Sequence, residues 1–118
     1  MHNFRELEVW KKSIALCKTY YFLSKNFPKD ELFGITSQSR RCLYSIPSNI
    51  AEGAGRDTDA QFSNFLNIAL GSSFEFETQI IIAKECEFFP LENFEIVLKE
   101  IHHIQNMIAK LKQVYGNK

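Results

Sequence analysis

The apolar and polar positions of this chain fall into four stretches with a helical period. Leu7, Trp10, Ile14, Cys17 and Tyr21 lie three and four apart, which predicts an amphipathic helix from about Arg5 to Asn26. At its far end Tyr20-Tyr21-Phe22-Leu23 is apolar on consecutive positions and cannot all face one core, so part of that turn should meet something else. Pro28 disfavours helical geometry at Phe27 and stops the helix. A second helix is predicted from Glu31 or Leu32 to Ala54, with Ile35, Cys42, Leu43, Ile46, Ile50 and Ala54 on one face. Gly53-Ala54-Gly55 marks its end, because glycine reaches the left-handed conformation of a C-cap.

Thr58-Asp59-Ala60-Gln61 has capping-box spacing, and Asp57 and Asp59 suit the positive end of a helix dipole. The third helix is therefore predicted from Thr58 to Phe88 or Phe89, closed by Pro90. Its apolar set is Phe62, Phe65, Leu66, Ala69, Phe76, Ile80 and Ala83. Gly71-Ser72-Ser73 interrupts that set and predicts a close helix approach. In the fourth stretch Phe94, Val97, Ile101, Ile104, Ile108, Leu111 and Tyr115 form a regular coiled-coil seam, with Gly116 placed as its C′ residue. The connections are short, so sequential helices should be antiparallel neighbours. The expected fold is all-α: an up-down-up-down antiparallel four-helix bundle forming a single domain over residues 1–118.

Pro47 sits inside the second helix. It has no N–H for the carbonyl of Leu43, so a kink is expected there. Ser45, Ser48 and Asn49 surround the break, where short polar side chains can bond the backbone groups it releases.

The same stretch, Ser45-Ile46-Pro47-Ser48-Asn49-Ile50-Ala51-Glu52-Gly53, with Ser37-Gln38 and Arg40-Arg41 before it and Gly55-Arg56 after, resembles a family signature. The family is that of four-helix-bundle proteins encoded in bacterial 23S rRNA intervening sequences. Phe4-Arg5-Glu6-Leu7-Glu8-Val9-Trp10 is similar to its opening, and Ile68-Ala69-Leu70-Gly71-Ser72 with Glu77-Thr78-Gln79 to its third helix. Related proteins include the accessory variability determinant of diversity-generating retroelements, a ring that binds nucleic acid and a reverse transcriptase. The resemblance thus implies a homo-oligomer, a pentameric ring, with RNA or DNA and a nucleic-acid enzyme as partners.

Composition supports a folded chain: of 118 residues, 45% are hydrophobic and 14% aromatic. No apolar run reaches bilayer length, and Met-His-Asn-Phe-Arg-Glu lacks signal-peptide features, so no membrane partner and a cytoplasmic location are expected. Cys17, Cys42 and Cys86 form no CxxC pair and fall on or beside apolar stripes, where small buried hydrophobes are expected. Net charge is zero but uneven. Residues 1–56 carry nine basic and five acidic side chains, whereas residues 57–90 carry one and six. Such asymmetry suits a chain that binds copies of itself as well as one that binds phosphate.

There is no P-loop, dinucleotide fingerprint, nucleophile elbow or metal-spaced cysteine pair, so no catalytic residue, metal or cofactor is expected. His102 and His103 are adjacent, about 100° apart on a helix, and belong to an exposed polar face. Arg40, Arg41 and Arg56, with Lys11 and Lys12, are the candidates for phosphate contact. The alternative is that they pair with carboxylates, within the bundle or across to a neighbouring copy. The aromatics do not interleave with the basic residues as a stacking platform for single strands requires, and are expected in the core and at interfaces. Ser45, Asn49, Glu52 and Gln79 are expected to form a structural hydrogen-bond network fixing the second helix on the third. Two functions follow: a homo-oligomer that binds nucleic acid or a nucleic-acid enzyme, or a self-assembling scaffold without nucleic-acid binding.

Overall fold

The computed structural model describes residues 1–116. After a 3-10 turn at Phe4–Glu6, α1 spans Glu8–Ser24, α2 Ser37–Ala54, α3 Asp59–Glu85 and α4 Leu91–Gly116, and no strand occurs among the described residues. Helices α1 and α3 each pack against both α2 and α4, which makes the fold a four-helix bundle. One end gathers the chain start: the His2 N–H donates to the Ala54 carbonyl at 2.7 Å, and the His2 ring packs on Phe62 and Tyr115. Tyr20 anchors another region, ringed edge-on by Phe27, Phe76 and Phe89, and its hydroxyl meets that of Ser39 at 2.7 Å. Burial holds the Tyr20 phenol up at about 12, so it stays a neutral hydrogen-bonding group.

The core face of α4 is the seam read from sequence: Phe94, Val97, Ile101, Ile104 and Ile108 are buried, and Leu111 and Tyr115 pack against its margin. Helix α3 buries Phe62, Leu66, Ala69, Ser73, Phe76, Ile80 and Ala83. Helix α1 departs from expectation. Its buried positions are Val9, Ser13, Leu16, Tyr20 and Ser24, one face round from the Leu7, Trp10, Ile14, Cys17, Tyr21 stripe. The apolar residues of this helix cover two faces. The buried face carries two serines, which burial tolerates because their hydroxyls bond carbonyls of their own helix: Ser13 donates to the Val9 carbonyl, and Ser24 to that of Tyr21. Ile14 and Tyr21 are left outside.

The helix boundaries also shift. The second helical stretch is broken: Lys29–Glu31 is a 3-10 turn, Leu32–Thr36 a π turn with non-helical Gly34, and α2 begins only at Ser37. Helix α3 stops at Glu85, ahead of Phe88. Glu87 is left-handed (φ 64°), the Phe88 N–H reaches the Ala83 carbonyl at 2.8 Å, and the Glu87 N–H reaches that of Lys84 at 3.0 Å. This is a Schellman ending with Glu where glycine is usual, and it turns Phe89 into the aromatic cluster. It also leaves Cys86 exposed, while Cys17 and Cys42 are half-buried. The capping box at Thr58 and Gln61 forms as read. The end of α2 is different from the left-handed cap expected, because Gly55 is right-handed (φ −84°), and Gly116, expected as a C′ residue, is the last residue of α4.

Glycine has another use here. A Cβ on Gly53 would stand 2.5 Å from Phe65 Cβ and 3.1 Å from Phe62 Cδ1, so the backbone of α2 touches the first turns of α3 at this residue. A Cβ on Gly71, where the close approach was expected, would meet nothing within 4 Å. That part of α3 turns its small residue outward, and Ser73 beside it is buried, bonding the Leu70 carbonyl.

Candidate nucleic-acid interface

Pro47 lies buried within α2 and removes one backbone donor. Side chains supply donors around the loss. Ser45 Oγ donates to the Cys42 carbonyl at 2.7 Å, Ser48 Oγ to that of Tyr44 at 3.0 Å, and Asn49 Nδ2 to that of Ser45 at 2.8 Å. The Leu43 carbonyl, the one the proline leaves without its helical partner, receives the Cys17 thiol of α1 at 3.9 Å. Burial pushes that thiol up to about 12, so it stays protonated and able to donate. Four consecutive carbonyls, 42 to 45, are thus each met by a side chain.

The polar set read from sequence is not brought together. Ser45 and Asn49 bond their own helix, and Glu52 pairs with Arg56 at 2.8 Å on the surface. Gln79 Oε1 is buried without a hydrogen-bond donor. Beside it, the Cys42 thiol donates to Glu75 at 3.5 Å and is raised first by burial and then by that carboxylate. Ser45 and Asn49 are satisfied within their own helix, as is usual for short side chains, whereas the buried Gln79 Oε1 of α3 is not.

Of the five candidate cations, Arg40 is the most built in. Its Nε donates to Ser24 Oγ at 2.8 Å and Nη2 to the Tyr21 carbonyl at 3.2 Å, and the guanidinium lies 4.7 Å over the Tyr21 ring. These acceptors are neutral, so its charge is not cancelled by them. Arg41 is exposed and has no ion pair among the described residues. Arg56 is held by Glu52 over the Phe65 ring, Lys11 pairs with Glu8 at 3.4 Å, and Lys12 is half-buried near the start of α1. Arg40 and Arg56 are sixteen residues apart, roughly 24 Å along a helix axis. The five do not form one patch.

A cluster that the sequence order concealed surrounds Arg40. Lys25 Nζ lies 5.0 Å over the Tyr21 ring and 4.8 Å over that of Phe22, and both rings are exposed. Tyr44 is beside them; its phenol is raised mainly by burial, with Arg40 pulling the other way. Cations and aromatics therefore interleave in space though not in sequence. The apolar run at residues 20–23, followed closely by Lys25, was the available signal.

On α4, His102 Nε2 contacts Glu77 at 3.1 Å and Gln105 donates to the same carboxylate at 2.8 Å. Burial pushes that carboxyl up, but these two bonds outweigh it and hold it below the usual carboxylate value. Among the described residues no three His, Cys, Asp or Glu side chains gather as a metal ion needs, and no helix is long and apolar enough to cross a membrane.

The family model for 23S rRNA-intervening sequence proteins matches residues 5–110. The chain belongs to that family. The match takes in the Pro47 segment, the Tyr21, Lys25 and Arg40 cluster and most of α4, so the geometry above lies within the span matched to the 23S rRNA-intervening sequence proteins. A search of curated proteins gives no match.

Proposed function

We propose that this member of the 23S rRNA-intervening sequence protein family is a non-catalytic, self-assembling bundle whose first partner is another copy of itself. One observation carries the reading: after the core is filled, large apolar side chains remain exposed on several faces. Ile14, Tyr21 and Phe22 stand out on α1, Ile68, Phe74, Ile81 and Ile82 on α3, and Phe33, at 91% exposure, on the turn before α2. Groups of such residues on a folded chain mark interaction surfaces. Light scattering at tens of micromolar should report several times the 13.7 kDa of one chain, five times for the ring that the resemblance implies. A 13.7 kDa particle under those conditions overturns the reading.

Nucleic-acid binding is the second reading, favoured by the Tyr21, Phe22, Lys25, Arg40 cluster, where exposed rings and cations together have the chemistry of a single-strand platform. Titration of a labelled single-stranded RNA against salt tests it. Binding should weaken with a slope of roughly 0.7 per phosphate contact. Arg40→Ala, Arg41→Ala and Lys25→Ala should flatten that slope, while Lys11→Ala and Arg56→Ala, at residues already paired, should change it little. Absence of binding at low salt removes this reading and leaves self-assembly standing.

A further inference from the structure

The end of α1, the turns after it and the start of α2 enclose a recess of about 290 Å³ with a basic lining. Lys25, Lys29 and Arg40 bring three cations to it, and no carboxylate lines it. Among the described residues no ion pair reaches any of the three. Arg40 is set in place by its own hydrogen bonds, from Nε to Ser24 Oγ at 2.8 Å and from Nη2 to the Tyr21 carbonyl at 3.2 Å. Those bonds use two of the five N–H donors of a guanidinium and leave three to offer. The Lys25 ammonium rests against the rings of Tyr21 and Phe22, which attract it without neutralising it. Like charges gathered in one recess repel one another, so the arrangement is unfavourable until an anion completes it.

A second observation, independent of charge, comes from Thr36. This residue lines the recess and is 3% exposed, and its Oγ1 is buried with no hydrogen-bond partner. Buried hydroxyls are as a rule bonded, because burial without a partner forfeits their hydration. Ser24, buried in the same lining, shows the ordinary case: its Oγ donates to the Tyr21 carbonyl and accepts from Arg40. Thr36 keeps a donor in reserve beside three unpaired cations.

We infer that this recess binds a phosphate monoester, with Arg40, Lys25 and Lys29 around the dianion and the Thr36 hydroxyl donating to one of its oxygens. A monoester carries close to two negative charges at neutral pH and three strong acceptor oxygens, which a guanidinium, two ammonium groups and a hydroxyl match. An internal phosphodiester carries one charge and would leave two of the three cations unmatched. The recess has the volume of about ten waters, more than a phosphate group fills. Phe27, Pro28 and Leu32 give the rest of its wall an apolar character suited to the carbon skeleton of the ester. A free mononucleotide and the 5′ end of an RNA strand both present such a group. The site shares Lys25 and Arg40 with the single-strand platform but does not need a strand, so it goes beyond the nucleic-acid reading.

Calorimetric titration of the full chain tests it. Adenosine 5′-monophosphate should bind at least tenfold more tightly than adenosine, and inorganic phosphate should compete with it. Lys29→Ala, at an exposed position, should weaken the nucleotide at least tenfold, whereas Lys11→Ala, near the opposite end of α1 and paired with Glu8, should leave it unchanged. Thr36→Val should weaken binding without lowering the melting temperature, since the hydroxyl it removes bonds nothing within the fold. Short single-stranded RNAs with a 5′-phosphate or a 5′-hydroxyl separate the two sources. Tighter binding of the phosphorylated strand supports the inference with the strand end as ligand. Discrimination between the nucleotide and adenosine with no RNA bound supports it with the free nucleotide as ligand, and removes the nucleic-acid reading. RNA bound equally well with either end, and the nucleotide bound no better than adenosine, overturns the inference and leaves the nucleic-acid reading standing. Equal losses in Lys29→Ala and Lys11→Ala overturn it as well, because they mark attraction to positive charge at large.

Discussion

Replacing Phe76 with alanine is expected to remove about 3–5 kcal/mol of folding stability, the range for truncating a fully buried phenylalanine. Phe76 is wholly buried on α3, and its ring lies 4.8 Å from that of Tyr20 at a near-perpendicular angle. Tyr20 in turn touches Phe27 and Phe89, and Phe89 touches Phe94. The loss therefore reaches α1, the turn after it and the start of α4. The Tyr20 hydroxyl, bonded to Ser39, fixes that ring and limits how far the cavity can collapse. Domains of this size have about 5–15 kcal/mol in total, so the variant should melt on the order of 15 °C lower. Thermal unfolding followed at 222 nm checks it; a drop of only a few degrees would mean that the aromatic cluster closes over the space.

At Gly53 two effects of opposite sign compete. Alanine is the better helix former by about 0.5–1 kcal/mol, so propensity alone predicts a gain. Packing predicts the reverse, because the added methyl would stand 2.5 Å from Phe65 Cβ, a position fixed by the α3 backbone. Overpacking a well-filled interface costs about 1–3 kcal/mol, so Gly53→Ala should be destabilising on balance. Gly71→Ala supplies the contrast, since nothing lies within 4 Å of its added methyl and only the propensity gain remains. Chemical denaturation of the two variants should move the midpoint in opposite directions. A stabilised Gly53→Ala would show that α2 and α3 can separate there at little cost.

Much of this fold can be read along the chain because local rules and packing agree. In α4 the seam from Phe94 to Ile108 keeps its regular three- and four-residue spacing, and it is the buried face. At Thr58 the capping box needs only residues three apart, and it forms. Reading fails where two answers were locally equivalent. Helix α1 has two apolar faces, and the buried one carries Ser13 and Ser24, whose hydroxyls bond carbonyls of their own helix while Arg40 of α2 adds a bond to Ser24. The glycines are a second case. Gly53 and Gly71 look alike in sequence, but only the side of the helix facing Phe65 decides which is crowded. The end of α3 is a third: a left-handed Glu87 has no propensity signal.

The candidate site divides in the same way. Ser45, Ser48 and Asn49 act within α2, so their bonds to released carbonyls follow from spacing. Cys17 completes that set from α1, twenty-six residues away, and no local rule points to it. The Tyr21, Lys25 and Arg40 cluster joins the end of α1 to α2, so it could be anticipated only as an excess of grease at residues 20–23.

A mid-helix proline is usually a place where a rod can flex. Here the carbonyls of residues 42 to 45 each hold a side-chain donor, three from the same helix and one from its neighbour. Such stitching turns a weak joint into a braced one. Helix α2 should then behave mechanically as a single strut fastened to α1, and a load applied near Arg40 would be felt at Gly53 without being absorbed along the way.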